Sequence, residues 1–285
     1  MTFKHSLATA VTAIALCVGL GAAAKAEAVG LSAREIMQRV EDRDEGHDSI
    51  ARVTIEVTDR LGDTHSCELK RFRKDFGPDG RDSYTFSFID SPDAVRGTRS
   101  LTLDYRSAEA TDDQWLFIPA FGEVKRITTN TNTSRLMGSD ITYGDLTSRD
   151  LNFYDFELHG EEQVDKWKTW VVSFVPRTPE EIKRFGYTRG KVWVDQESWL
   201  VVRSIFWMAE NDLVKYFVAH DTRNIDGIWS PVAMTFMTRK GAHTVSKTTM
   251  RLDQIAYNVG LPDAMFAVDY LTDPNPARLW PAQMR

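Results

Sequence analysis

The stretch DDQWLFIPAFGEVKRITTNTNTSRLMGSDITYGDL, residues 112–146, decides how the rest of the chain is read. It opens on Trp115, Leu116, Phe117 and Ile118, a strand-like run that is apolar on both faces. A turn follows at Pro119 to Gly122, then a basic segment rich in Thr and Asn, then an amphipathic tail carrying Met137, Ile141, Tyr143 and Leu146. A strand with one wet face alternates apolar and polar residues. This one does not, so each of its sides needs a cover.

The same departure recurs further on. Val192-Trp193-Val194 is apolar on both faces, as are Val171, Val172, Phe174 and Val175. In Trp199 to Met208, Leu200, Val202, Phe206 and Met208 share one face, while Trp199, Val201, Ile205 and Trp207 share the other. Elsewhere the period is two: Val53, Ile55 and Val57 alternate with Thr54, Glu56 and Thr58, and Tyr84, Phe86 and Phe88 with Thr85 and Ser87. Turns fall at Asp59 to Asp63, Gln196 to Ser198, Asn211-Asp212, Asp226-Gly227 and Gly241. Short β-branched and aromatic runs between tight turns predict an antiparallel meander.

Helix is predicted in few places. Ser32 and Glu35 form a capping-box pattern ahead of Ile36, Met37 and Val40. Three other segments suggest helix: Met137 to Leu146, Pro179 to Gly186, and the residues after Pro262-Asp263. The fold class is therefore mainly β (α+β), a strongly curved antiparallel sheet with few helices. Eight Trp, fifteen Phe and nine Met supply more bulky apolar surface than those helices can cover. A large apolar side chain removed from water gains about 1.5–3 kcal/mol. Either the sheet closes on itself or part of that surface lines a cavity.

Residues 1–26 read as a secretory signal: Lys4 and His5, an apolar run from Leu7 to Ala24, and a small-x-small site at Ala24-Lys25-Ala26. Residues 27–285 read as a single domain, without a linker or repeat. Cys17 lies in the signal, which leaves Cys67 alone and no internal disulfide. The chain carries 35 basic and 41 acidic residues, a net charge of -6, which argues against nucleic acid as a partner. There is no G-x-S-x-G elbow, no phosphate-binding glycine loop and no metal-ligand spacing among His47, His65, His159, His220 and His243. No enzymatic activity, cofactor or metal is expected. Asp140 and Asp145, which flank Tyr143, are expected to serve as a helix cap and a loop turn.

"DQWLFIPAFGEVKRI" followed by "MGSDITYGDL" resembles the pattern of the periplasmic outer-membrane lipoprotein-sorting-like proteins, relatives of the lipoprotein carrier LolA. "KVWVDQESWLVVRSIFW" is similar to a later hairpin of that family. The resemblance runs from about Ala33 to Tyr270. It implies an open half-barrel of about eleven antiparallel strands with helices acting as a lid over an apolar cavity. It also implies a periplasmic, non-enzymatic carrier or chaperone, monomeric and in transient contact with membranes. Such a carrier would pass lipid or acylated-protein cargo between a membrane or an RND-type transporter and an acceptor. A lipid-sensing module of the same fold, a lipid hydrolase and a plain filled sandwich are the alternatives.

On that reading the opening strand packs on one side and meets cargo on the other. Trp115, Phe117, Phe206 and Met208 are expected on the cavity wall. Met137, Ile141, Tyr143 and Leu146 are expected on a lid, with Ser139 and Asp140 capping or hinging it and Arg126 to Arg135 forming a mobile rim.

Overall fold

The computed structural model describes residues 30–106, 110, 112–127, 133–210 and 212–279. The expected signal, residues 1–26, lies outside the described residues, and so does the middle of the expected rim, residues 128–132. The described residues from Ser32 onward form one compact unit. No helix among the described residues is long and apolar enough to cross a membrane.

Ser32 caps the first helix, α1 (Ala33–Glu41), by the predicted reciprocal box: its Oγ accepts the Glu35 amide at 3.2 Å, and Glu35 Oε2 accepts the Ser32 amide at 2.7 Å. The chain then turns to strands: β1 (Asp48–Thr58), β2 (Thr64–Phe76), β3 (Asp82–Ser91), β4 (Arg99–Asp104), β5 (Asp113–Ile118) and β6 (Glu123–Ile127). The next strands are β7 (Tyr154–Val164) and β8 (Trp167–Pro176), and a short helix α2 (Pro179–Phe185) follows them. The last five strands are β9 (Tyr187–Asp195), β10 (Val201–Met208), β11 (Leu213–Ile225), β12 (Ile228–Lys240) and β13 (His243–Tyr257). Asp59 builds its predicted turn by accepting from the amides of Leu61 and Asp63. Asp226 and Gly227, both at positive φ (53° and 94°), close the β11–β12 hairpin in the way tight two-residue turns require.

All thirteen strands join one antiparallel sheet in the order β6-β5-β4-β3-β2-β1-β13-β12-β11-β10-β9-β8-β7. The strand number exceeds the expected eleven. The edge strand β6 falls in a stretch read as a basic connector, because Glu123, Lys125 and Arg126 hide its alternation. The sheet also curls. Gln114 on β5 and Tyr187 on β9 stand nine strands apart in the sheet order. At about 4.8 Å per strand a flat sheet would separate them by roughly 43 Å. Yet Gln114 Nε2 donates to the Tyr143 carbonyl at 3.1 Å and the Tyr187 hydroxyl donates to Asp145 at 2.6 Å, two residues along the same segment.

The curl defines an inner and an outer face. The outer face of the β1–β5 half carries Ile50, Phe72, Phe86 and Leu101, with Trp115 and Phe117 packed against them. It is covered by the C-terminal segment, which contributes Leu261 and, in two short 3-10 turns, Met265, Phe266, Tyr270 and Leu271. The buried Asp48 carboxylate fixes the start of that segment, accepting from the amides of Val259, Gly260 and Leu261 at 2.6, 2.9 and 2.7 Å. This half therefore has an aromatic core on its outer side, and on its inner side a second buried cluster of Val53, Ile55, Cys67, Leu69 and Ile89. That inner side also meets Val95 and Met250, and over it lies the segment that follows β6.

Candidate functional site

That segment, residues 133–153, was expected to begin with a lid helix over Met137 to Leu146. Over that span it holds instead two 3-10 turns, Leu136–Gly138 and Tyr143–Leu146, with an irregular run between them, and a third turn follows at Leu151–Phe153. A run of small and polar residues, Gly138-Ser139-Asp140, breaks the helical period, and Met137 and Gly138 both take positive φ (52° and 76°). Leu136 N donates to Ile141 O at 2.7 Å and Tyr143 N to Ser134 O at 3.1 Å, so residues 134–143 fold back on themselves as a flap.

Two buried carboxylates tie the segment down. Asp140, with a fully buried side chain, accepts from Thr238 at 2.5 Å and Thr248 at 2.8 Å, from Ser246, and from the Arg135 guanidinium at 3.1 Å. Its expected role as cap or hinge is corrected accordingly: it is an anchor onto β12 and β13. Asp145 closes a capping box with Thr142, as expected of a cap, and also binds Lys215 Nζ at 2.5 Å and the Tyr187 hydroxyl at 2.6 Å. Burial pushes the Asp145 carboxyl up, but Lys215 and Arg149 outweigh it and hold the group below the ordinary carboxylate range. Lys215 in turn donates to Tyr187 at 2.6 Å. The three side chains satisfy one another, which makes the cluster a strut between the flap and the β9–β11 wall.

Asp145 stands between two hollows. The first, about 460 Å³, lies between the flap and the inner face of β1–β5. Its walls include Val53, Ile55, Leu69, Ile89, Leu116 and Ile118, and its roof Met137, Ile141, Tyr143 and Leu146. Met137 and Leu146 remain 38% and 40% exposed, large apolar side chains at a cavity rim with no complete cover of their own. The second, about 420 Å³, lies under α1 and is floored by Phe174, Phe206, Phe217 and Phe236. Volumes of about 300–1,000 Å³ with mostly apolar linings are those of small-molecule sites.

Of the residues expected on the site, Met137, Ile141, Tyr143 and Leu146 converge on the first hollow and Phe206 on the second. Trp115 and Phe117 do not line the wall they were expected to form. Their side chains belong to the outer aromatic layer, and Leu116 and Ile118 take the wall instead. The period of a strand is two, so a one-residue error of phase exchanges its faces. Met208 lines neither of these hollows; it sits at the end of β10 opposite Tyr187. Sequence reasoning missed Leu116, Ile118 and Val53. The alternation of β1 could have exposed Val53, since it shares a face with Ile55. No group of three His, Cys, Asp or Glu among the described residues is placed to hold a metal ion.

Comparison with known proteins identifies the family and the fold. A family model described as an uncharacterized protein matches residues 81–273. The crystal structure of a DUF1329 family protein from Desulfovibrio piger is similar at 30% identity and a TM-score of 0.76, covering 84% of this chain and 97% of that one. A Vibrio parahaemolyticus protein described as an outer membrane lipoprotein-sorting protein domain shares the fold at 24% identity and TM-score 0.75, over 85% of this chain and 98% of that one. A LolA superfamily protein from Nitrosomonas europaea shares it at 18% identity and TM-score 0.61, over 85% of this chain and all of the other. Among curated proteins, none matches the sequence.

Proposed function

The chain belongs to the DUF1329 family and carries a LolA-like fold, and from that premise we propose that it is a periplasmic carrier that holds acyl chains in the hollow beneath its flap. The observation that carries this reading is the hollow of about 460 Å³ on the inner face, walled by Ile55, Leu116 and Ile118 and roofed by Met137 and Leu146. Val53, Ile55, Leu69 and Ile89 are themselves buried in a cluster on this inner face, yet the hollow beside them stays open, with Met137 and Leu146 left 38% and 40% exposed at its rim. Unbranched Met at a rim adapts its shape to flexible chains.

The mechanism is partition. Moving a CH₂ group from water into such a hollow gains about 0.8 kcal/mol. Passing from one apolar site to another is nearly neutral, so direction comes from a tighter acceptor or an energised partner such as an RND-type transporter. The flap is held at Asp140 and Asp145, while its tip at Met137-Gly138 makes no bond to the sheet among the described residues. Entry then requires movement of the tip alone, with both anchors kept. The cargo is a lipid or an acylated protein.

Native mass spectrometry of the full chain, purified from a periplasm without detergent, tests the reading. A lipid adduct that is lost in Leu116→Asp supports it. A protein mass free of lipid in the wild-type chain overturns it.

A further inference from the structure

The first hollow is not uniformly apolar, and its polar part is ordered. On the inner face Arg71 lies directly across from Ser87, Ser87 from Ser100, and Ser100 from Leu116. The neighbouring rung runs Arg73, Thr85, Thr102, Gln114. Arg71, Ser87, Ser100, Thr85 and Thr102 all line the hollow. A lane of hydroxyls leading from a guanidinium thus crosses a floor whose borders are Val53, Leu69, Leu116 and Ile118.

Arg71 differs from its neighbour Arg73 in how it is satisfied. Arg73 donates to Ser83 at 3.0 Å, to the Gly46 carbonyl at 3.0 Å and to Asp75 at 2.6 Å, and pairs with Glu45 at 3.2 Å. Arg71 Nε is buried without a hydrogen-bond partner, and no carboxylate among the described residues pairs with this side chain. Tyr257 and, less strongly, Glu45 attract it, but Glu45 is already held by Arg43 and Arg73. Burial accordingly pulls the Arg71 guanidinium below its ordinary value. Two further polar atoms of the same half, Thr98 Oγ1 and Gln114 Oε1, are likewise buried and unpartnered. A buried cation without a counter-charge is costly, whereas a guanidinium is suited to grip a carboxylate or phosphate with two parallel bonds.

We propose that Arg71 is the anchor for an anionic group, carboxylate or phosphate, on the amphiphile held in the first hollow, with the Ser87–Ser100 lane receiving its remaining oxygens. The inference rests on the carrier reading above and narrows it: the cavity selects acidic acyl amphiphiles over neutral ones of equal chain length.

The test compares three ligands with the same sixteen-carbon chain, hexadecanoate, hexadecyl phosphate and hexadecanol, bound to the full-length protein below their micelle concentrations. The wild-type chain is expected to bind one or both anions at least about tenfold more tightly than the alcohol, the scale of a single charge-assisted contact. Arg71→Met is expected to bring that ratio close to one, and Arg71→Lys to retain part of it. Preference for a single anion supports the inference and identifies the head group as carboxylate or phosphate. Equal binding of all three ligands by the wild-type chain overturns the inference and leaves the carrier reading standing. Binding of none overturns both. An anion preference that survives in Arg71→Met also overturns it. Should Arg71→Met not fold, the wild-type ratio and Arg71→Lys still decide.

Discussion

Asp140 and Thr248 bind each other twice: the Thr248 hydroxyl donates to the Asp140 carboxylate at 2.8 Å and accepts the Asp140 amide, also at 2.8 Å. The flap is thereby fastened to β13 through backbone and side chain at one residue. Removing the carboxylate in Asp140→Ala leaves the hydroxyls of Thr238, Ser246 and Thr248 and the Arg135 guanidinium without their shared acceptor. The expected loss is about 3 kcal/mol in urea unfolding. Amide exchange should also accelerate over residues 133–146 while β12 and β13 stay protected. Uniform exchange across the sheet would contradict the anchoring role.

The phase of β5 can be tested directly. Leu116 faces the hollow and Phe117 the outer aromatic layer, where the Arg99 guanidinium lies 5.0 Å from its ring centroid. Leu116→Asp is expected to lower lipid retention with little change in melting temperature. Phe117→Ala is expected to cost about 2 kcal/mol of stability, toward the low end for a large-to-small change because the ring is only half-buried, and to leave retention unchanged. The reverse pattern would restore the phase first expected from the sequence.

Gly190 on β9 lies beneath Phe174, so closely that a Cβ there would overlap the ring. Phe174 is in turn wedged against Tyr154 and Phe206, with centroids 5.5 and 5.9 Å away. Gly190→Ala is expected to destabilise by about 1–3 kcal/mol, read as a fall of about 2–4 °C in Tm per kcal/mol. A Tm equal to that of the wild type would mean that the aromatic floor of the second hollow is loose.

Burial pushes the Asp104 carboxyl up to about 7, with the nearby Asp112 adding to the shift and Ser148 opposing it. The folded value lies above the ordinary carboxylate value of about 3.9, so the native state holds the proton more tightly than the unfolded chain. Stability from this group is full at low pH and declines as pH rises from about 4 through about 7. Asp145 runs the other way: its folded value is depressed, and its contribution is lost only as pH falls through that value. Asp104→Asn should therefore flatten the decline of Tm between about pH 4 and 7. An unchanged slope would assign that decline to another group.

The sheet was legible because its strands repeat a local signal, alternation between turns, that needs no knowledge of distant partners. Ser32 with Glu35, and Asp226 with Gly227, were readable for the same reason. β7 was not, since Glu157, Glu161 and Glu162 keep most of its residues exposed and leave little apolar period. The flap residues Met137, Ile141, Tyr143 and Leu146 were found by their apolar spacing, but their helix was not there. The energy of that segment comes from Asp140 and Asp145 binding strands about 100 and 70 residues further along the chain. Such contacts leave no periodic trace. The wall was misassigned because Trp115 and Leu116 are both apolar. Only the C-terminal cover on the outer face decides which of them looks inward.

The central claim is that acyl chains occupy the space between the flap and the inner face of β1–β5. Photolabelling of the full chain with a hexadecanoate analogue carrying a diazirine at its chain end, mapped by tandem mass spectrometry, tests it most directly. The expected label falls on Leu116, Ile118, Met137 and Leu146. No label, or label confined to Trp115, Phe117 and the C-terminal cover, would contradict it.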